Sequence, residues 1–196
     1  MKLYLPVSID QITLKRFVGF HTAVDDIERA MFAVNKSREY CEGLPAATLG
    51  TITELFTVAC NTGKDIHSNI IESEGVKLGF HPNINGLTFK EWADLDQLAK
   101  AIWPDGKTAH YQNLPQLMAI LFRPVAEQVG TYYNLKPYDS DGVAKYLHAV
   151  EALTMDRIQG ALLFFSTLSA ELVNNSLEYL DKILMTEIAT VTHPTD

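Results

Sequence analysis

The chain has 196 residues, enough for one domain whose folding takes about 70% of the unfolded surface out of water, so no disulfide or metal staple is required. Sixteen Lys and Arg face 24 Asp and Glu, a formal net charge of -8, and the cations are scattered singly, which argues against direct nucleic-acid readout because that needs clustered positive charge. The densest apolar run, Ala161 to Phe165, is far below the ~20 residues of a membrane span, and the opening Met1 to Pro6 lacks a signal-peptide pattern.

In chain order, Ile9-Asp10-Gln11-Ile12-Thr13-Leu14-Lys15-Arg16-Phe17 is the first patterned segment, and it is echoed by Ile84-Asn85-Gly86-Leu87-Thr88-Phe89-Lys90-Glu91-Trp92. Both copies predict a helix start. The second has a full capping box, Thr88 with Glu91, and a staple of Leu87 on Trp92. The first keeps the cap Thr13 and the staple Ile12 on Phe17 but has Arg16 where the box needs an acid. Two short extended leads, Leu3 to Leu5 and Leu78 to Phe80, precede these starts and could pair or occupy equivalent places. Duplication and convergence of capped helix starts both remain open.

Apolar residues at three- and four-residue spacing, Leu14, Phe17, Val18, Phe20, Val24, Ile27, Met31 and Val34, predict one or two amphipathic helices ending near Asn35. A connector with Gly43 and Pro45 follows, then a helix opened by a box at Thr51 to Glu54 and ending near Gly63. Residues 66–80 predict a small β-hairpin turning at Ser73-Glu74-Gly75 with a left-handed glycine, in need of a covering layer or a further strand such as Lys2 to Leu5. A helix from Phe89 to about Ile102 stops at Trp103-Pro104-Asp105-Gly106. The next has Pro115 in its first turn and ends or kinks at Arg123-Pro124. An extended aromatic loop, Tyr132 to Ser140, leads to a helix from about Gly142 to Ala152.

The last predicted element is a long helix from Met155 to about Thr190, packed in its first half. Its second half narrows to a stripe of Val173, Leu177, Leu180, Leu184 and Ile188. The resulting fold class is mainly α, a helical domain over 1–153 with one hairpin, followed by a long C-terminal helix over 154–196 whose end serves as an interface arm. Candidate interface residues are Leu177, Leu180, Leu184 and Ile188 on that arm, with Tyr132 and Tyr133 of the aromatic loop.

No constellation of reactive groups emerges, so catalytic, cofactor and metal residues are all expected to be absent. The six histidines show no HxH or HExxH pairing, and no glycine-rich phosphate cradle or nucleophile elbow occurs. Cys41 and Cys60, without metal or redox spacing, are expected as buried thiols in a reducing compartment. Asp25-Asp26 and Asp94 with Asp96 read as solvated helix faces. Arg123, closing a strongly apolar segment, reads as a structural tie to helix carbonyls or to a nearby carboxylate.

Leu3-Tyr4-Leu5-Pro6, Ile12-Thr13-Leu14, Gly79-Phe80-His81-Pro82-Asn83, Leu87 to Trp92 with Asp94-Leu95, Leu117 to Val125, and Phe164-Phe165 occur in this order. Together they resemble small proteins encoded in the structural regions of large tailed bacteriophages, crAss-like phages among them. The match departs at Phe122, where a Leu-Tyr-Arg-Pro box would be more regular, and in the insertion 101–113. The resemblance implies a virion structural protein, such as a neck or ring subunit, assembled in the host cytoplasm as a homo-oligomer with other virion proteins as partners. It transfers no catalytic residue. A tail assembly chaperone that leaves before maturation is the alternative, and a small-molecule enzyme is a third class, which a deep pocket of convergent polar groups would favour.

Overall fold

A computed structural model describes residues 3–64, 66, 68–81, 86–104 and 108–163. The chain divides into two units, Met1–Ala161 and Leu162–Asp196, and every element named below belongs to the first. Four helices open the unit: α1 (Leu14–Thr22), α2 (Asp26–Val34), α3 (Arg38–Glu42) and α4 (Ala46–Cys60). A hairpin of β1 (Ile70–Ser73) and β2 (Val76–Phe80) follows, then α5 (Phe89–Ile102), α6 (Leu114–Leu121), β3 (Phe122–Val129), β4 (Tyr132–Leu135) and α7 (Leu147–Glu151).

The architecture is mixed α/β, which corrects the mainly α expectation. The four strands form one antiparallel sheet in the order β1-β2-β3-β4, so the expected hairpin is half of a larger sheet. Its missing neighbour is β3, not Lys2 to Leu5: Leu78, Gly79 and Phe80 of β2 face Pro124, Arg123 and Phe122, and residues 3–5 form no strand. Proline argues against a central strand because it removes a ladder donor. Pro124 is accommodated beside the register shift between Val125 and Glu127, where pairing is already interrupted. The long C-terminal helix has no support in this architecture, since residues 164–196 lie outside the described residues.

The predicted helix starts show how side chains replace missing backbone bonds. Thr13 accepts from the amide of Arg16, and Thr88 and Glu91 form the expected capping box. Arg16 instead closes the C-terminal end of α2, where its Nε donates to the Phe32 carbonyl at 2.9 Å and its Nη2 to the Ala33 carbonyl at 2.6 Å. Its guanidinium also lies over the Phe56 ring of α4, 5.6 Å from the centroid. The box expected at Thr51 to Glu54 is instead interior to α4, which begins after Pro45. Thr51 and Thr53 hydroxyls donate back to the carbonyls of Ala47 and Gly50.

The core centres on α6, in which Leu114, Pro115 and Leu117 through Leu121 are all buried. That apolar saturation marks a helix with neighbours on every side. Carbonyls of its last turn find donors outside the helix: Met118 in the Phe122 amide, Ala119 in the Tyr146 hydroxyl at 2.8 Å, and Leu121 in the His81 amide at 2.8 Å. A second cluster joins α1 and α4, where the Phe20 and Phe56 rings sit 4.5 Å apart. Cys41 and Cys60 are buried free thiols, and burial raises the thiol pKa of each, Cys60 to about 11, so both stay protonated at neutral pH.

Candidate functional site

The most exposed part of the sheet is the hairpin of β3 and β4. β3 begins directly after α6 with two buried residues, Phe122 and Arg123, and becomes exposed toward its end. The turn is Gly130-Thr131, with Gly130 at φ 61°, a two-residue connection whose first central position suits glycine. At its end Val129 pairs with Tyr132, and these two apolar side chains are 79% and 83% exposed. In the order of the sheet β4 is an edge strand, so beyond β3 no second strand lies beside it among the described residues.

The root of the hairpin is fixed where its tip is not. Arg123 Nη1 donates to Glu91 Oε1 at 2.7 Å, with both side chains nearly fully buried. Glu91 Oε2 also accepts from the Thr88 amide at 2.5 Å, so one carboxylate ties the first turn of α5 to the first residues of β3. Burial alone would raise the Glu91 pKa; the bonds from Thr88 and the charges of Arg123 and His81 outweigh it and leave the carboxyl below its ordinary value. The expected tie of Arg123 to a carboxylate is therefore present. Its Nε is buried without a hydrogen-bond partner among the described residues.

Tyr133 and Leu135 reach across to Gly79 of β2. A Cβ there would come within 2.6 Å of Leu135 Cδ2 and 2.8 Å of Tyr133 Cε2, so this close approach needs a glycine. The Tyr133 hydroxyl donates to the Phe80 carbonyl at 2.6 Å, and burial raises its pKa. The two tyrosines singled out in sequence thus separate, Tyr132 to the surface and Tyr133 to the sheet. Tyr138 donates to Asp94 Oδ2 at 2.8 Å, and burial together with that carboxylate raises its pKa.

Beside the hairpin root lies a cleft of about 360 Å³. Arg123 and Pro124 of β3, Lys136 and Pro137 after β4, and Asp139, Lys145 and Tyr146 before α7 supply most of its wall. The Tyr146 pKa is pushed up to about 12 by burial, so its hydroxyl remains a donor, committed to Ala119. Asp139 turns toward backbone, with Oδ1 accepting from the Asp141 amide at 3.2 Å and Oδ2 lying where a Cβ on Gly142 would sit 2.8 Å away.

Leu177, Leu180, Leu184 and Ile188 lie outside the described residues. Asp96 meets Lys100 in an exposed ion pair on α5 and Asp26 meets Arg29, as expected of solvated helix faces. Asp25, by contrast, is the N-cap of α2, accepting from the Glu28 amide at 2.7 Å beside Arg38, and Asp94 is part-buried under the Tyr138 hydroxyl. Among the described residues no three metal-ligating groups converge, and no helix is long and apolar enough to cross a membrane. The cleft residues Lys136, Asp139, Lys145 and Tyr146 escape sequence reasoning, because they carry no motif and only the tertiary fold brings them beside Arg123. The Val-Gly-Thr-Tyr step at 129–132 is a usable hairpin signal that the loop expectation missed.

No protein family, curated protein or solved structure matches the chain.

Proposed function

We propose that this protein is a non-enzymatic structural subunit that docks onto other proteins in a bacteriophage particle, in the neck or ring region. The observation that carries the docking reading is the exposed end of the β3–β4 hairpin, with Val129 and Tyr132 bare on a hairpin whose outer edge faces no further strand among the described residues. Such an edge offers main-chain hydrogen bonds, and an exposed aromatic beside it supplies apolar area at small entropic cost. The virion setting rests on the short sequence segments that resemble phage structural proteins. A root fixed by a buried ion pair and a tip left free is an arrangement suited to presenting a contact surface without deforming the core.

The test has two arms. Mass spectrometry of purified particles from the phage that encodes the chain should find it at a fixed copy number. Its absence from mature particles, with capture on a tail protein from infected cells, would replace the subunit reading with that of an assembly chaperone. In the second arm, Val129→Ser with Tyr132→Ser should leave unfolding within about 1 kcal/mol of wild type while incorporation into particles fails. Normal incorporation of that variant refutes the hairpin as the contact.

A further inference from the structure

The cleft at the hairpin root concentrates positive charge on a chain of formal charge -8. Three of its sixteen cations, Arg123, Lys136 and Lys145, line this one cavity, against the single carboxylate of Asp139. Arg123 lies on β3 and the two lysines at opposite ends of the connection from β4 to α7, so the convergence is a product of the fold and not of a basic run. Arg123 is already balanced by Glu91, which leaves Lys136 and Lys145 as the positive charges that a guest would meet, with Asp139, whose Oδ1 accepts from the Asp141 amide, as the one opposing carboxylate in the wall. The remaining wall is apolar and rigid: Val76, Pro124 and Pro137, with the Tyr146 ring held by its bond to Ala119. A volume of about 360 Å³ is at the small end of ligand cavities.

We propose that this cleft binds a small organic anion, a carboxylate or phosphate monoester with a compact apolar body, its charged group between Lys136 and Lys145 and its body against Tyr146, Pro124 and Pro137. Lysine suits this role because its ammonium is a point charge on a flexible stem that can meet either head group. The apolar wall sets the preference for a body over a bare ion. No reaction is assigned to the site, and the proposal does not depend on the docking role of the hairpin tip.

The test is titration of the full-length, isotopically labelled chain, followed by amide NMR, with phenyl phosphate, phenylacetate, inorganic phosphate and neutral benzyl alcohol as probes. Saturable shifts at Lys136, Asp139, Gly142, Lys145 and Tyr146 are expected with phenyl phosphate or phenylacetate, whichever of the two binds more tightly identifying the preferred head group. Lys136→Gln with Lys145→Gln should weaken that binding about tenfold or more, with spectra otherwise unchanged because both side chains are exposed. Raising salt to about 0.15 M should weaken it further in wild type. Lack of saturation by both aromatic anions at about 10 mM, a weak affinity at which a specific site should already respond, overturns the proposal. So does equal affinity in the double variant, and equal affinity for inorganic phosphate or benzyl alcohol overturns the paired charge-and-body recognition.

Discussion

Removing the Glu91 carboxylate is the sharpest perturbation of the hairpin root. Glu91→Ala strands the buried Arg123 guanidinium, whose Nε already lacks a partner among the described residues, and takes away half of the capping box of α5. Breaking a buried pair from one side costs about 3–5 kcal/mol, and the lost cap falls within that range or adds up to about 1 kcal/mol. A domain of marginal stability would lose much of its margin. Urea unfolding followed by far-UV circular dichroism measures this directly, as a lower midpoint at unchanged slope.

Two companions separate charge from shape. Glu91→Leu combined with Arg123→Met should be less destabilised than Glu91→Ala alone, because neither charge is left uncompensated. The pH dependence follows from the depressed carboxyl: the folded pKa lies below the ordinary value of 4.5, so the stabilisation is present above about pH 4.5 and lost as pH falls through the folded value. The gap between wild type and Glu91→Gln should therefore be largest near neutrality and shrink in acid. A Glu91→Ala protein within about 1 kcal/mol of wild type, the range of a solvent-exposed pair, would refute the reasoning.

Gly79→Ala places a methyl group against Leu135 and Tyr133 and should cost about 1–3 kcal/mol by overpacking, read as a lowered urea midpoint. The same variant should weaken the Tyr133 bond to the Phe80 carbonyl, seen as faster amide exchange along β4. Arg16→Met keeps the apolar stem but leaves the Phe32 and Ala33 carbonyls without this donor, for a loss of about 1–3 kcal/mol on thermal or urea unfolding. No change there would mean that solvent serves those carbonyls equally well.

Local chemistry is legible in the sequence where one segment contains the whole device, with two exceptions: the box predicted at Thr51 to Glu54 falls inside α4, and the turn at Gly130 reads as loop. The Thr13 cap, the Thr88 and Glu91 box and the Glu74-Gly75 turn each need only a few neighbouring residues, and each is present, with both turn residues at positive φ. Arg123 announces a tie but not its partner, because Glu91 is distant in sequence. The sheet is only half legible. β3 reads as Phe-Arg-Pro-Val-Ala-Glu-Gln-Val, poor in strand formers and interrupted by proline, and becomes a strand because Leu78 and Phe80 offer apolar partners across the ladder. Arg16 looks like a flawed capping box because its targets lie on the next helix. The cleft leaves no trace at all, since its residues share neither period nor spacing.

The junction between α6 and β3 has a mechanical meaning. Leu121 ends the helix and Phe122 begins the strand, with no slack residue between them. Pulling or pushing on the Gly130 turn therefore loads a strand whose far end is seated in the core of the first unit, and binding at the tip would be felt by the very side chains that hold that unit together.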